Sequence, residues 1–300
     1  MTMAAAAFSP CSITGFFRID DRFKDPLRIG STGAAVTLSK GVTTRVVVQN
    51  ARRSRVRATF NQKKLPTNSL SSYVARKFIQ LDGRQLQAGI SHKCLLPVGC
   101  GYGTSGASAL SLSLAMNEAM GLSLTLTEAA QIAHASEVVR KTGLGTVASA
   151  FSGGLTIRTA SGAPGIGKVQ KVIVPSSLKL VTASFGPISK RVLLQSAPFK
   201  NRVNTCADGL LKKMEGQASA ENFLSLSKTF AKCLNLTSQR LARLITRLDS
   251  IGLKSSMAML GESVFCLVSK DSVPEAKAVV QSVDIQSEVC DISRSGARLL

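Results

Sequence analysis

The sequence predicts an α+β protein of two domains, residues 1–165 and 166–300. Two observations lead to this fold class. In the first half, alternating strand patterns surround a glycine-rich stretch that opens a helix of small residues. From residue 171 the patterns follow the order strand, helices, strand, helix, strand, which is typical of a compact α+β domain. A chain of 300 residues is long enough for a core in each domain.

The first forty residues predict short strands separated by turns. Residues 4–17 have the apolar content of a strand, which we expect to break at Ser9-Pro10 and again at a turn around Gly15. The small residues 30–33 predict a second turn, because glycine and serine are frequent in turns.

Alternating valine and threonine residues over 42–48 predict a further strand. Residues 49–51 predict a hairpin turn into the next strand, in which Arg53, Arg55 and Arg57 share one face. That face could bind a nucleotide or RNA, or it could be a solvated surface, and the sequence leaves both interpretations open.

A glycine-rich stretch, residues 97–120, follows a predicted helix over 69–80 and a predicted strand over 86–96. The interval from residue 94 to residue 117 has no charged side chain, which indicates a buried segment. The glycines at the start of the stretch are Gly99, Gly101, Gly103 and Gly106. We expect the helix that they open to end at Gly121.

The start of this helix has the features of an anion site. Backbone N–H groups at a helix N-terminus, together with the helix dipole, favour phosphate. The hydroxyls of Thr104, Ser105 and Ser108 could bind phosphate oxygens or a hydrated cation. An ordinary glycine-rich turn before a buried helix remains the alternative.

A second helix follows, for which we expect Thr127 as the N-cap and an end near Gly143. His134 and Glu137 are three residues apart and therefore lie on one helical face. A single glutamate on a helix is commonly a surface charge. The glycine-rich stretch nearby in the sequence favours a functional role for Glu137.

The second half predicts strands over 171–174 and 178–185, followed by helices. Apolar residues at helical spacing over 241–248 predict an amphipathic helix. Residues 272–275 predict a capping box at the start of another helix, and residues 284–293 predict the last strand.

Charge and cysteine content limit the classes of function. The net charge is +21, and no Asp or Glu occurs over 26–81 or over 138–207, which favours anionic partners. The basic charge makes RNA binding a further hypothesis. Few aromatic residues accompany that charge, however, so we expect no nucleic-acid partner. The seven cysteines form no CxxC pair, so we expect reduced thiols in a cytoplasmic protein. No stretch has the character of a membrane span, so we expect no membrane contact.

Taken together, these motifs resemble the GHMP kinase superfamily of small-molecule kinases, whose phosphate loop reads PxxxGLGSSAA. The positions of that loop are matched by Pro97, Gly101, Gly103, Ser105 and Ala107, with departures at Tyr102, Thr104 and Gly106. The chain is most similar to the archaeal pantoate kinases, above all at residues 13–17 (ITGFF) and 258–262 (AMLGE). This resemblance spans nearly the whole chain.

The resemblance implies a fold and a reaction. The fold would combine an N-terminal domain of the ribosomal-S5 type, with a left-handed βαβ crossover, and a ferredoxin-like C-terminal domain. The reaction would be transfer of the γ-phosphate of ATP to the 4-hydroxyl of pantoate, a step in coenzyme A biosynthesis, with Mg²⁺ as cofactor. A homodimer is left open.

The resemblance also implies roles for individual residues. Ser105 and Glu137 would hold Mg²⁺ and, with the residue at position 146, form the catalytic set. Arg158 and Ser31 would bind the substrate. The residues expected around the phosphates of ATP are Pro97, Gly99, Gly101, Gly103, Thr104, Ser105, Gly106, Ala107 and Ser108.

One departure affects catalysis. The related kinases usually have Asp after the GLG that follows the glutamate helix, where this chain has Thr146. A threonine hydroxyl is not a base near pH 7. Three hypotheses follow: the kinase works without a base, or Asp20 or Asp25 reaches the site after folding, or the protein is a weak or silent homologue that binds nucleotide.

Overall fold

A computed structural model describes residues 2–188, 196–283 and 285–300. Its strands divide between two sheets, and helices pack against both. The strands are β1 (Thr2–Asp20), β2 (Gly30–Asn50), β3 (Arg55–Phe60), β4 (Lys63–Lys64), β5 (Leu86–Lys93), β6 (Leu155–Ala160), β7 (Lys168–Val172), β8 (Lys179–Pro187), β9 (Ser255–Met257), β10 (Gly261–Val268), β11 (Gln286–Asp291) and β12 (Arg298–Leu299). The helices are α1 (Leu70–Asp82), α2 (Thr104–Met120), α3 (Leu126–Arg140), α4 (Thr146–Ser152), α5 (Ala197–Ala207), α6 (Leu210–Gly216), α7 (Ala220–Leu234), α8 (Gln239–Ser250) and α9 (Val273–Gln281).

The first sheet is built around the long strand β2. Strand β1 pairs antiparallel along most of its length, while the other edge of β2 pairs with β6 near its start and with β5 near its end. Strands β5 and β3 are parallel, and α1 connects them. The mixed sheet and its crossover helix agree with the predicted α+β class.

Helix α2 lies against β1 and β2, and almost all of its residues are buried. Burying an unpaired charge is expensive, which explains why this part of the sequence has none. The helix ends at Gly121, as predicted. Among the ranges described, none of the helices is long and apolar enough to cross a membrane.

The second sheet is antiparallel throughout and has the order β11-β8-β10-β9. Numbered along the chain, that order is 4-1-3-2, with helices between the first and second strands and between the third and fourth. This βαββαβ arrangement is ferredoxin-like, as expected. In α8 the residues Leu241, Leu244 and Leu248 are buried, which confirms the predicted amphipathic helix.

The chain changes sheets twice. Strand β7 still belongs to the first sheet, where it pairs with β6 and ends at Val172. After Asp291 the chain returns to the first sheet, because β12 pairs with β1. The predicted boundary at residue 165 therefore lies ahead of a strand of the first sheet, and we propose a boundary between residues 173 and 178.

Three local predictions are wrong. Strand β1 runs unbroken, and its pairing with β2 shifts register at Pro10/Ser12 and Thr14/Phe16, close to the predicted breaks. Such irregular pairing lets a strand continue past residues that do not fit a regular strand. Residues 30–33 open β2 instead of forming a turn. Residues 49–51 do not form a hairpin, because β5 lies between β2 and β3.

The N-cap of α3 is Thr125 instead of the predicted Thr127. Its hydroxyl accepts a hydrogen bond from the backbone N–H of Glu128, whose side chain in turn accepts one from the N–H of Thr125. This reciprocal capping box satisfies two N–H groups that the helix leaves unpaired, so Thr125 is favoured over Thr127, which lies two residues farther along the chain.

The prediction that all cysteines are reduced is wrong for one pair. A disulfide joins Cys206 in α5 to Cys233 in α7, two helices that both pack on β1. Their separation of 27 residues gives no local motif, so the pairing is visible only after folding. The remaining cysteines are free and buried, namely Cys11, Cys94, Cys100, Cys266 and Cys290.

Reduction of this disulfide is expected to lower the free energy of unfolding by about 3 kcal/mol, because the bond restricts the unfolded chain over a loop of this length. Urea unfolding with and without dithiothreitol measures the effect. The variant Cys206→Ala with Cys233→Ala serves as the control and should not respond to dithiothreitol. Equal stability of the wild type under both conditions would contradict the prediction.

Candidate active site

The glycine-rich loop ends at Gly103, the N-cap of α2. No side chain caps this end, so the N–H groups of the first turn are available to an anion. Gly103 has a φ angle of +62°, and a Cβ there would lie 2.6 Å from Cγ2 of Thr146 and 3.0 Å from the carbonyl oxygen of Ser12. Only glycine fits between these neighbours.

Ser105 and Glu137 meet across the interface of α2 and α3. The Ser105 hydroxyl donates a hydrogen bond to the Glu137 carboxylate, and Glu137 is 2% exposed. A Cβ on Gly106 would lie 2.7 Å from Oε2 of Glu137, and a Cβ on Gly143 would overlap the same carboxylate. Two close backbone approaches therefore hold the carboxylate beside the start of α2.

The other predicted loop residues are held by backbone hydrogen bonds and by packing. The Ser108 hydroxyl donates to the carbonyl of Thr104 at 2.6 Å, and both residues are buried together with Ala107. Gly99 lies farther from the helix start and accepts a hydrogen bond from the N–H of Ile188. Pro97 begins the same loop.

A small cavity that is partly open to solvent lies beside the start of α2. Its walls come from the glycine-rich loop, from β1, from residues 142–146 and from a loop of the second sheet. The lining residues are Ser12, Thr14, Phe17, Ser31, Gly101, Gly103, Thr142, Gly143, Leu144, Gly145, Thr146, Arg158, Met259 and Leu260.

Arg158 is the only arginine or lysine that lines this cavity among the residues described. It is 2% exposed, its Nε donates to the Ser31 carbonyl at 3.2 Å, and its Nη1 donates to Oγ of Ser149 at 2.7 Å. No carboxylate in the described ranges pairs with it, and burial lowers the pKa of Arg158 to about 10. A buried cation without a counter-charge is costly, so this end of the cavity favours an anionic ligand.

Ser31 and Thr146 also line the cavity, as their predicted roles require. Ser31 is buried on β2, and its Oγ would overlap a Cβ placed on Gly145. Thr146 is the first residue of α4, where its side chain packs against Gly103 and Gly106. Position 146 therefore faces the start of α2.

Neither aspartate proposed as a substitute base reaches the cavity. Asp20 accepts a hydrogen bond from Ser161 at 2.8 Å and pairs with Arg22 at 3.1 Å. Asp25 accepts one from the N–H of Leu27 at 2.9 Å and so caps its own turn. The hypothesis that one of them replaces the carboxylate missing at position 146 is wrong.

His134 lies one turn before Glu137 in α3 but bonds elsewhere. Its Nε2 donates to the carbonyl of Ile29 at 2.8 Å, just before β2 begins, and burial lowers the pKa of its imidazole. The histidine thus ties α3 to the entry of β2, next to Ser31.

Two residues on β1, Ser12 and Thr14, belong to the cavity but were missed by sequence reasoning. They are two apart on one strand and so share a face. Polar residues at this spacing within an apolar strand were the available signal.

The arginine face lies elsewhere. Arg55 and Arg57 are exposed on β3 and line a separate surface groove with Lys64 and Arg76. Arg53 stands in the turn ahead of that strand. The possibility that these residues bind a nucleotide or RNA stays a hypothesis.

Contacts between the two sheets fix the cavity. The Tyr102 hydroxyl lies 3.1 Å from Oγ1 of Thr182 in β8, and the Ser263 hydroxyl donates to the carbonyl of Cys100 at 2.6 Å. Both contacts join the glycine-rich loop to the second sheet, so the cavity depends on both domains.

Comparison with known proteins agrees with this architecture. Residues 69–154 match the GHMP kinases N terminal domain. The chain is 30% identical to a pantoate kinase from Thermococcus kodakarensis over 97% of its own length and 96% of that protein.

Two solved structures are similar to this one. A phosphotransferase related to the CoA biosynthesis pathway superposes with a TM-score of 0.90 at 28% identity, covering 99% of both chains. The complex of MDDEF with MVAPP, AMPPCP and magnesium has a TM-score of 0.76 at 14% identity, covering 100% of this chain and 99% of that one. At that identity the second likeness concerns the fold alone.

Gly143→Ala is expected to lower the free energy of unfolding by about 1–3 kcal/mol, because its methyl group would overlap the buried Glu137 carboxylate. Urea unfolding measures the change. Gly216→Ala at the end of α6 is the matched control, since nothing lies within 4 Å of its Cβ position. That control should be neutral or up to about 1 kcal/mol more stable. Equal effects at both positions would contradict the crowding around Glu137.

Proposed function

The chain belongs to the pantoate kinase family of GHMP kinases, and on that premise we propose that it transfers the γ-phosphate of ATP to the 4-hydroxyl of pantoate. The product would be 4-phosphopantoate, an intermediate of coenzyme A biosynthesis. One observation carries the proposal: a single cavity has the open N-terminus of α2 on one side and the buried guanidinium of Arg158 on another. These groups suit the phosphates of ATP and the carboxylate of a hydroxy acid.

Arg158 is proposed to bind the carboxylate of pantoate. Two of its nitrogens are already held by Ser31 and Ser149, which fixes the guanidinium plane. Its Nη2 makes no hydrogen bond to any residue that the structure describes, so it is available to a ligand. The Ser31 hydroxyl lines the same part of the cavity and could bind a second polar group of the substrate.

The loop from Pro97 to Ser108 is proposed to bind the phosphates of ATP, largely through N–H groups at the start of α2. Ser105 and Glu137 supply adjacent oxygen atoms, the ligand type that Mg²⁺ prefers. Bound Mg²⁺ would neutralise charge on the phosphates. Because Mg²⁺ usually keeps several waters and takes only one or two carboxylates, one glutamate and one serine are sufficient protein ligands.

The reaction is proposed to proceed without a carboxylate base. Glu137 is bonded to Ser105, and the cavity lining that the structure describes contains no Asp or Glu. Phosphoryl transfer has a loose transition state, so the acceptor hydroxyl needs little deprotonation before the new bond forms. Its proton can leave to water or to the transferred phosphate. Positioning of the 4-hydroxyl in line with the γ-phosphate is then the main contribution of the protein.

The alternative of a silent nucleotide-binding homologue is not favoured. The relative that matches nearly the whole chain is a pantoate kinase, and the residues proposed to bind phosphate and carboxylate line one cavity or adjoin it. We further propose that the protein acts in the cytoplasm. A homodimer stays a prediction.

Purified protein with MgATP and pantoate is expected to form ADP and phosphopantoate. Arg158→Met should raise the KM for pantoate about 100-fold, because loss of a charged hydrogen bond in a buried site costs a few kcal/mol. The KM for ATP should change by less than about threefold, because the two substrates bind at different parts of the site. Coupled ADP release and chromatography of the product give these values.

Arg158→Lys keeps the charge but not the planar fork, and should fall between the wild type and Arg158→Met. Absence of turnover in the wild type, with related hydroxy acids also inert, would refute the proposed function. An unchanged KM for pantoate in Arg158→Met would refute the carboxylate site alone.

Thr146→Asp is expected to raise kcat about tenfold or more, because it places a carboxylate base in a cavity whose described lining has none. Thr146→Asn is the matched control, since it has nearly the same shape and cannot accept a proton. The pH dependence of kcat should gain an acidic limb only in Thr146→Asp. Equal rates in both variants would show that no base is missing.

A further inference from the structure

The buried hydroxyl of Ser12 has no hydrogen-bond partner among the residues that the structure describes. The residue is 2% exposed, and its Oγ makes no hydrogen bond to any residue of the described ranges. Such a group forfeits its hydrogen bonds to water and gains none in return. The large majority of buried side-chain polar atoms in proteins have a hydrogen-bond partner, so the Ser12 hydroxyl requires an explanation.

The hydroxyl is at the cavity, beside the start of α2. Ser12 lines the cavity, and its Oγ lies 3.0 Å from the Cβ position of Gly103. Thr146 approaches the same position. The hydroxyl therefore adjoins the N–H groups that no side chain caps.

The backbone holds Ser12 in this position. Its N–H donates to the carbonyl of Tyr102 at 3.0 Å, which ties β1 to the glycine-rich loop. The pairing of β1 with β2 shifts register just before Ser12. Register shifts of this kind redirect side chains and are frequent near active sites. The strand thus presents the Ser12 hydroxyl to the cavity.

Packing does not explain the hydroxyl. Alanine has the same Cβ and would fill this position without a buried polar atom, so the fold alone would favour it. The geometry does offer a partner once a ligand is bound, because anions at the start of α2 would lie within reach of both Oγ and the helix N–H groups.

We infer that Ser12 is a catalytic residue whose hydroxyl donates a hydrogen bond to the phosphoryl group in transfer. This inference rests on the proposed function. In the reaction, the acceptor oxygen forms a bond to the γ-phosphorus, the bond from that phosphorus to the β,γ-bridging oxygen breaks, and ADP leaves with the electron pair. The acceptor proton passes to water or phosphate. Ser12 forms no covalent bond and keeps its proton.

The inference specifies which kinetic constant depends on Ser12. A donor aimed at the phosphoryl group during transfer lowers the barrier more than it strengthens ground-state binding. Ser12→Ala is therefore expected to lower kcat about 10- to 100-fold, while the KM values for ATP and pantoate change by less than about threefold. Ser12→Thr keeps a hydroxyl and should recover part of the loss.

Ser113→Ala is the matched control. Ser113 in α2 is also buried without a hydrogen-bond partner in the described structure, but it does not line the cavity. Both alanine variants should melt at the same temperature as the wild type or slightly higher, because each removes an unsatisfied hydroxyl. Only Ser12→Ala should lose activity. A fall in melting temperature of several degrees confined to Ser12→Ala would instead indicate a structural role and overturn the inference.

A second measurement does not depend on turnover. ADP with Mg²⁺, aluminium fluoride and pantoate mimics the transition state, and should raise the melting temperature of the wild type beyond ADP with Mg²⁺ alone. Ser12→Ala should keep the shift with ADP and lose most of the additional shift. If the additional shift is unchanged, or if kcat of Ser12→Ala stays within twofold of the wild type, the inference fails. Loss of wild-type turnover alone would refute the proposed function and leave this binding test decisive for Ser12.

Discussion

Close packing around the first turn of α2 is the constraint on which the site depends. Gly103 and Gly106 allow Ser12, Thr146 and Glu137 to approach the helix more closely than any side chain at those positions would permit. The approach leaves the N–H groups uncapped, and it holds a carboxylate and hydroxyls beside them. The anion site therefore depends first on the close packing that leaves these N–H groups uncapped, and only then on the charge of nearby side chains.

The packing around α2 also explains why both domains are needed to hold the glycine-rich loop in place. The glycine-rich loop is fixed on one side by β1, through Ser12 and Tyr102, and on the other by the second sheet, through Cys100 and Ser263. Loops with few internal hydrogen bonds are mobile unless their surroundings hold them. Two independent anchors let a segment rich in glycine keep one conformation, which phosphate binding by backbone groups requires.

The sequence predicted what is local and missed what depends on pairing over distance. The charge-free stretch, its glycines and Gly121 were sufficient to place α2, and the helical spacing of leucines placed α8. The order of β2, β5 and β3 could not be predicted from the sequence. Strands β2 and β3 are consecutive along the chain, but β5 lies between them in the sheet. The same limit hid the disulfide and the unsatisfied Ser12 hydroxyl, since a missing hydrogen bond has no counterpart in the sequence.

Two polar groups of the cavity, the Arg158 guanidinium and the Ser12 hydroxyl, are incompletely satisfied by the residues that the structure describes. Among the described residues, the buried Arg158 cation has no counter-charge and the buried Ser12 hydroxyl has no hydrogen-bond partner. Each destabilises the protein without ligand, and each would be satisfied by a phosphorylated or carboxylated ligand. A bound ligand then supplies the interactions that these two groups lack in the free protein. Part of that stabilisation arises only as charge develops on the phosphoryl group. A site with one fixed carboxylate can in this way favour phosphoryl transfer by preorganised donors instead of by a base.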